Sequence, residues 1–142
     1  PVNATCELAL PDLLAFLASP EDAPVPEPMA VARFELGVLD GLLLGFTDAT
    51  LVGGTTLYTA AAEASQDASM DGEVSGSVIG VIPPNGDLRY ALLTDANGVR
   101  STDKVEGIVG VAGAKDRVYI VIDADDPAQP SVLCEVLLGG HW

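Results

Sequence analysis

The sequence predicts an all-β protein in which short antiparallel strands follow one another along the chain, with one short helix near the N-terminus. β-rich segments recur at fairly regular spacing from residue 31 onward, and turn-forming pairs such as Gly53-Gly54 and Asn97-Gly98 separate them. Several segments, for example residues 118–122, are apolar on both faces, as in sheets stacked between other sheets. A β-propeller and a β-sandwich both fit this pattern.

The N-terminal segment is predicted to contain a strand, the helix, a stiff loop and a second strand. Residues 6–10 form the first strand, and Pro11 and Asp12 then supply the start signals of a helix with one apolar face. Residues 19–28 contain four prolines and three acids, a composition typical of an exposed loop with a restricted backbone. Residues 33–37 form the strand that follows.

An internal repeat of about 60 residues favours the propeller. Residues 46–65 match residues 105–125 when three residues are inserted at the second hairpin turn. The alignment pairs Asp48 with Glu106 and Tyr58 with Tyr119, and it brings Glu63 beside Asp123. Residues 5–10 also resemble residues 133–138 and, more loosely, residues 77–82.

With strands labelled a to d from the axis outward, the chain is predicted to form about two to two and a half four-stranded blades of a partial β-propeller. The complete blade takes strands a to d from residues 45–52, 57–64, 77–82 and 88–94. The next blade has strands a to c at residues 105–111, 117–123 and 132–138, and it lacks strand d. We therefore predict a single domain, 1–142, with three parts: 1–37, the end of one blade with the helix and proline-rich loop; 38–95, a complete blade; and 96–142, a blade without its outer strand.

Four segments support this architecture by resemblance. FTDAT, DGEVSGSVIGVIPPNG, DKVEGI and VIDADDP occur in this order between residues 46 and 127. Together they resemble the C-terminal half of a family of uncharacterised bacterial β-propellers of the six-bladed type, which is related to the phytase-like, esterase-like and SdiA-regulated propellers. The resemblance covers nearly the whole chain and implies a propeller fold, but it implies little about a substrate.

Open sheet edges predict the kind of partner. The first strand and the unclosed last blade leave backbone donors and acceptors unpaired and apolar faces uncovered. We expect these edges to be covered by self-association or by a complementary propeller chain. The alternative is that the chain is a fragment of a longer propeller.

The charge of the chain argues against two classes of partner. Twenty-one acidic residues stand against six basic ones, which gives a formal net charge of −15 at pH 7. Such an excess repels phosphate backbones and anionic lipid surfaces, so we expect neither nucleic acid nor membrane as a partner. No apolar run is long enough to span a bilayer. These features favour a cytoplasmic protein, with a secreted or periplasmic one as the alternative because the N-terminus has the form of a processed product.

The two cysteines do not suggest a metal site or a disulfide framework. Cys6 and Cys134 lie far apart and lack the CxxC spacing of zinc ligands. We therefore predict that both are buried free thiols, which behave as small apolar residues.

Four carboxylates are predicted to share one mouth of the propeller channel. Asp48 and Glu106 lie near the starts of two a strands, and Glu63 and Asp123 lie at the ends of two b strands, on the same face of the blades. Several carboxylate oxygens brought together are the ligands that calcium prefers. The sequence thus predicts a calcium site at Asp48, Glu106, Glu63 and Asp123. The alternative is that Asp48 and Glu106 accept hydrogen bonds from backbone amides of the neighbouring blade.

The sequence offers few residues for nucleophilic catalysis. His141 is the single histidine and a GxSxG motif is absent, which gives little support to catalysis by a Ser-His or Cys-His pair. A metal-dependent phytase-like or esterase-like hydrolase is the alternative function, in which Asp48 and Glu106 hold the metal and Lys104 or Arg100 orients an anion. We favour a role in binding or assembly, and the sequence names no small-molecule ligand.

Overall fold

A computed structural model describes residues 2–65, 72–83, 87–123 and 128–140 of the chain, so His141 lies outside the described residues. The described chain is mostly β-strand with one short helix, which confirms the predicted all-β class. It divides into two compact units, Val2–Glu35 and Leu36–Trp142. Within the described ranges, no helix combines the length and the apolar character needed to cross a bilayer.

The N-terminal unit contains β1 (Asn3–Glu7), α1 (Leu10–Ala18) and β2 (Ala30–Phe34), and β1 pairs antiparallel with β2. Both strands lie three residues upstream of their predicted positions. The reason is that Pro11 occupies the first turn of α1, so the helix begins at Leu10 and the preceding strand must end earlier. The helix is capped at its C-terminal end by Ser19, whose N–H bonds to the carbonyls of Ala15 and Phe16, both at 3.2 Å.

The second unit contains a five-stranded antiparallel sheet in the order β3-β4-β5-β6-β7. Its strands are β3 (Val38–Leu39), β4 (Leu42–Val52), β5 (Thr55–Ala64), β6 (Glu73–Ile82) and β7 (Arg89–Leu92). Gly53 and Gly54 join β4 to β5 with φ angles of 58° and 86°, a turn in which two positive φ angles favour glycine. The predicted order of these strands is confirmed, and β3 is an additional short strand that the sequence pattern did not reveal.

A three-stranded antiparallel sheet follows in the order β8-β9-β10. Its strands are β8 (Val105–Gly110), β9 (Arg117–Ile122) and β10 (Val132–Leu137). Strand β8 lies against β4 and β5 of the first sheet. The consecutive pairing of three strands, without a fourth beyond β10 in the described part of the chain, agrees with the predicted order.

The core of the second unit lies between the two sheets. Its buried apolar cluster consists of Leu57, Ile79, Val81, Leu93, Val105, Ile108, Val118 and Ile120. In β9 only alternate residues are buried: Val118 and Ile120 face the core, while Tyr119 and Val121 are exposed. The expectation that both faces of this strand are covered is therefore wrong for the described chain, whereas the middle of β5 is buried on both faces.

The strand ladders align the internal repeat one residue away from the predicted alignment. The β4–β5 register shifts around Thr47, and the β8–β9 register shifts around Glu106, so each residue is the extra one of a β-bulge. Superposing the two bulges places Asp48 at Gly107 rather than at Glu106. Side chains alternate between the two faces of a strand. A shift of one residue in the alignment therefore moves each aligned side chain to the opposite face.

The predicted insertion of three residues is correct. Val52 pairs with Thr55 across a two-residue turn, and the N–H of Val111 bonds to the carbonyl of Arg117 at 3.2 Å across a five-residue loop. The two hairpins therefore match on both sides of loops that differ in length. This agreement fixes the relation between β5 and β9 as well as that between β4 and β8.

Both cysteines are free thiols, as predicted, but they are not both buried. Cys6 in β1 is exposed, and Cys134 in β10 is half-buried against the core cluster. The difference arises because β1 belongs to a sheet of two strands and β10 ends its sheet, so neither strand is enclosed by neighbours on both sides.

Candidate functional site

Asp48 joins the two sheets of the second unit. One of its carboxylate oxygens, Oδ2, accepts a hydrogen bond of 2.8 Å from the backbone N–H of Ile108 in β8. The other, Oδ1, accepts one of 2.8 Å from the N–H of Ala49. Both oxygens are thus engaged by backbone amides, one of them across the junction between β4 and β8, as the alternative prediction for Asp48 stated.

A pair of threonine hydroxyls supports the bulge that positions Asp48. The Thr47 hydroxyl donates to the Thr59 hydroxyl over 2.8 Å, and the Thr59 hydroxyl lies 3.4 Å from the carbonyl oxygen of Asp48. Thr59 is fully buried. A buried hydroxyl must be hydrogen-bonded to avoid a desolvation cost, so this pair stabilises the irregular backbone at the one place where β4 changes register.

Lys104 brings two of the predicted carboxylates together. Its Nζ lies 3.3 Å from Oε2 of Glu63 at the end of β5 and 3.1 Å from Oε1 of Glu106 in the β8 bulge. The second oxygen of Glu63 accepts a hydrogen bond from the N–H of Gly72. The side chains of Lys104 and Glu63 are only 17% and 19% exposed, so the ammonium group offsets the charge of a partly desolvated acid and also contacts Glu106.

Ser77 positions the backbone on both sides of Lys104. This residue lies fully buried within β6, and its hydroxyl donates to the carbonyl oxygen of Asp103 at 2.8 Å. The same oxygen accepts the N–H of Val105 at 3.3 Å. The segment that carries Lys104 is therefore tied to the centre of the first sheet, which directs its ammonium group towards Glu63 and Glu106.

Asp123 lines a polar cavity next to Lys104. The cavity has a volume of about 450 Å³, and its wall includes Asp103, Lys104, Asp123 and Gln129. Asp123, at the end of β9, therefore lines the same cavity as Lys104. It does not join Glu63 and Glu106 in a group of metal ligands.

Two of the four predicted carboxylates share the Lys104 ammonium group, whereas Asp48 accepts hydrogen bonds from backbone amides. Within the described residues, no group of three or more His, Cys, Asp or Glu side chains is arranged to hold a metal ion. A calcium ion bound by Glu63 and Glu106 would have to displace the Lys104 ammonium group from these two acids.

Sequence reasoning named Lys104 and Arg100 as candidates for orienting an anion, but in the structure each pairs with acids of this chain. Arg100 lies 2.7 Å from Asp40 in the turn between β3 and β4. Ser77 was missed as a positioning residue because its serine-glycine context is typical of a turn. The signal that could have identified it is a polar residue that opens the apolar run SVIGVI, where an unpaired hydroxyl would be costly once the strand is buried.

A family model decides the relationship of this chain to known proteins. The model of a family of unknown function, DUF6929, matches residues 1–138 of the chain. The chain belongs to the DUF6929 family. The match spans both units and all the strands described above for this DUF6929 member. No curated protein and no solved structure matches the chain.

Proposed function

We propose that this chain forms part of a β-propeller and that it acts by binding and assembly. The observation that carries the proposal is the repeated ladder of the second unit. Strands β4 to β6 and β8 to β10 are each antiparallel, each contains a bulge at the matching position, and β8 lies against β4. Propellers are built by this kind of repetition of small antiparallel sheets.

The connections favour blades over the two sheets of a sandwich. Sandwiches commonly join their sheets by Greek-key connections, in which a strand returns to pair with a distant one. Here every pair of hydrogen-bonded strands in the second unit is consecutive along the described chain. A β-sandwich binding module is the alternative fold for the same role.

An exposed apolar face supports assembly. Four residues point to the same side of the β8–β10 sheet because they occupy matching positions of its ladders: Val109 opposite Tyr119, and Val121 opposite both Gly107 and Leu133. We call Val109, Tyr119, Val121 and Leu133 the outer face. All four are exposed, and in a propeller this is the side on which a further blade packs.

The polar contacts of the candidate site support a structural rather than a catalytic use. The carboxylate of Asp48 joins β4 to β8, Lys104 pairs with two glutamates, and Ser77 holds the backbone around Lys104. Each of these contacts joins two groups of the same unit. Their arrangement fixes the two sheets relative to each other, which a rigid binding scaffold requires.

Sedimentation equilibrium over a wide concentration range tests the proposal. We expect the chain to associate with itself, or with a complementary propeller chain added to it, through the outer face. Val121→Lys should weaken the association, because it places a charge in the interface, whereas Leu51→Lys on the exposed side of β4 should not. A chain that remains monomeric at every concentration and binds no complementary chain would contradict the proposal.

A further inference from the structure

The outer edge of β10 has backbone groups that pair with no other strand among the described residues. Strand β10 pairs with β9 and with no other strand of the described chain. The N–H of Leu138 bonds to the carbonyl of Asp116 on the β9 side at 2.8 Å. Because alternate residues of an antiparallel strand direct their peptide groups to opposite edges, the N–H and C=O groups of Leu133, Glu135 and Leu137 point away from β9.

A groove runs beside this edge. It has a volume of about 430 Å³ and lies between the β7 region and the end of β10. Ile79, Leu92 and Leu93 contribute to one wall, and Val136 and Leu138 contribute to the other. The groove is therefore largely apolar and lies next to a strand edge whose hydrogen-bonding groups are available.

The internal repeat shows what kind of element fits there. The aligned bulges place Tyr58 at the position of Ile120, and these two residues pair with Gly80 in β6 and with Cys134 in β10. Gly80 therefore corresponds to Cys134. In the first sheet, the edge of β6 that faces away from β5 is occupied by β7.

An independent contact confirms this correspondence. The N–H of Leu93 bonds to the carbonyl of Ser77 at 2.9 Å, so Ser77, Ile79 and Val81 direct their peptide groups towards the β7 side. By the alignment, Ile79 and Val81 correspond to Leu133 and Glu135. These are the residues whose peptide groups point to the outer edge of β10.

We propose that the outer edge of β10 binds one extended peptide strand, antiparallel to β10, that carries a basic residue opposite Glu135 and large apolar residues over the groove. The proposal rests on the proposed function, because it names one partner for an assembly scaffold. It specifies the register: in the first sheet Arg89 lies opposite Val81, and Tyr90 lies opposite Gly80. A strand with the same pattern places its arginine opposite Glu135 and its tyrosine opposite Cys134.

The charges favour a basic partner segment over a second copy of this chain. Asp95 and Glu135 are the charged residues in the groove wall, and both are acidic. The amides of Val99 and Asn97 hold the pKa of Asp95 below its usual value, so it remains ionised. Two copies that each carry a net charge of −15 repel one another, whereas a basic strand is attracted. Glu135 also contacts Arg117 at 3.3 Å, but this pair is exposed and therefore weak.

The probe is a synthetic peptide of residues 87–94, DLRYALLT, with blocked ends and a fluorescent label, and its binding to the full chain is measured by anisotropy. We expect saturable binding, with shifts of the Leu133, Glu135 and Leu137 amide signals in NMR spectra. Replacing the peptide arginine by glutamate should weaken binding about two- to fivefold, and Glu135→Lys should restore it. A peptide methylated on alternate backbone nitrogens of its bonding edge should not bind.

Leu133→Pro supplies the matched variant of the protein. Proline removes an N–H that points away from β9, so the β9–β10 ladder remains intact and peptide binding is lost. If this variant does not fold, the charge exchange at Glu135 still decides the matter. Absence of peptide binding, or binding unaffected by N-methylation and by the charge exchange, overturns the proposal. Self-association that Leu133→Pro abolishes but that Val121→Lys on the outer face does not weaken, without peptide binding, assigns the edge to a second copy and leaves the proposed function standing.

Discussion

At the scale of single residues, the contact between Tyr58 and Gly80 is a tight point of the core. Tyr58 is fully buried and pairs with Gly80 across the β5–β6 ladder. Its ring also meets the ring of Phe46 edge to face, with 5.0 Å between the centroids. A Cβ at position 80 would collide with the Tyr58 ring and lie 2.6 Å from the carbonyl oxygen of Arg89.

Gly80→Ala should therefore destabilise the protein. Neither a buried ring nor a strand carbonyl can move away without disrupting its own contacts, so we expect a loss of about 1–3 kcal/mol in the free energy of unfolding. Urea denaturation measures this loss. Gly139→Ala is the control, because a Cβ there meets no atom within 4 Å and the variant should be close to wild type. Equal stabilities for the two variants would show that the contact between Tyr58 and Gly80 leaves room for a Cβ.

The hydroxyl of Tyr58 gives a prediction about pH. Among the buried side-chain polar atoms of the described residues, this hydroxyl has no hydrogen-bond partner, and burial together with nearby Tyr90 raises its pKa to about 12. The folded state then holds its proton more tightly than the unfolded state, so the free energy of unfolding falls as pH rises from about 10 to about 12. At pH 7, Tyr58→Phe should be neutral or slightly stabilising. Between about pH 10 and about pH 12, the free energy of unfolding of this variant should fall less than that of the wild type, as measured by urea denaturation at several pH values. An unchanged pH profile in the variant would refute this.

Lys104→Met removes the cation shared by Glu63 and Glu106. The two acids then repel each other in a partly desolvated place, and we expect a loss of about 1–3 kcal/mol, measured by urea denaturation. Lys115→Met, at an exposed lysine, is the matched control.

The effect of calcium on the melting temperature distinguishes a cluster held by the Lys104 ammonium group from a metal site. If Lys104 serves in place of a metal, calcium should raise the melting temperature of Lys104→Met more than that of the wild type, because only the variant offers two uncompensated carboxylates. A larger calcium effect in the wild type would instead support the metal site that the sequence predicts at Asp48, Glu106, Glu63 and Asp123.

At the scale of elements, the two bulges determine which side chains reach the junction between the sheets. The bulge at Thr47 precedes Asp48, whose carboxylate reaches Ile108 in the next sheet, and the bulge at Glu106 is followed by Gly107. A side chain in place of Gly107 would point into the same junction from β8. The link between β4 and β8 thus depends on one carboxylate rather than on two.

Asp48→Ala should loosen this link, because it leaves the N–H of Ile108 without its acceptor at a cost of about 1–3 kcal/mol. Asp48→Asn retains an oxygen that can accept the same hydrogen bond and should lose less. Amide hydrogen exchange provides the direct measurement: the Ile108 amide should exchange faster in Asp48→Ala than in Asp48→Asn. Equal exchange rates would show that Ile108 is protected by some other contact.

The sequence predicted strand order better than strand register. Turn residues such as Gly53-Gly54 mark where the chain reverses, and consecutive reversals determine the pairing. A bulge leaves no comparable signature, since Thr47 and Glu106 are ordinary strand residues, and the alignment was therefore one residue off. For the same reason the sequence located the acids of the candidate site but not the pairing of Lys104 with Glu63 and Glu106.

At the scale of the whole molecule, the excess of negative charge and the exposed apolar surface have opposite effects on self-association. The outer face favours association, and a net charge of −15 disfavours it. Added salt screens the repulsion over distances of about 10 Å at 0.1 M and leaves apolar contacts intact.

Self-association should therefore strengthen as sodium chloride is raised from low to physiological concentration. Sedimentation equilibrium at several salt concentrations measures the association constant, and Val121→Lys at the same salt concentrations is the control for the outer face. Association that weakens with salt would indicate an interface held by ion pairs, contrary to the apolar face described above.

The loop between Val111 and Arg117 has a consequence for engineering. It contains three more residues than the Gly53-Gly54 turn at the matching place, although the ladders on either side agree. Chain length is thus free to vary at this point without changing the register of the scaffold. An epitope or reporter domain inserted between Gly113 and Ala114 should be tolerated, which offers a way to label the protein for locating its partners.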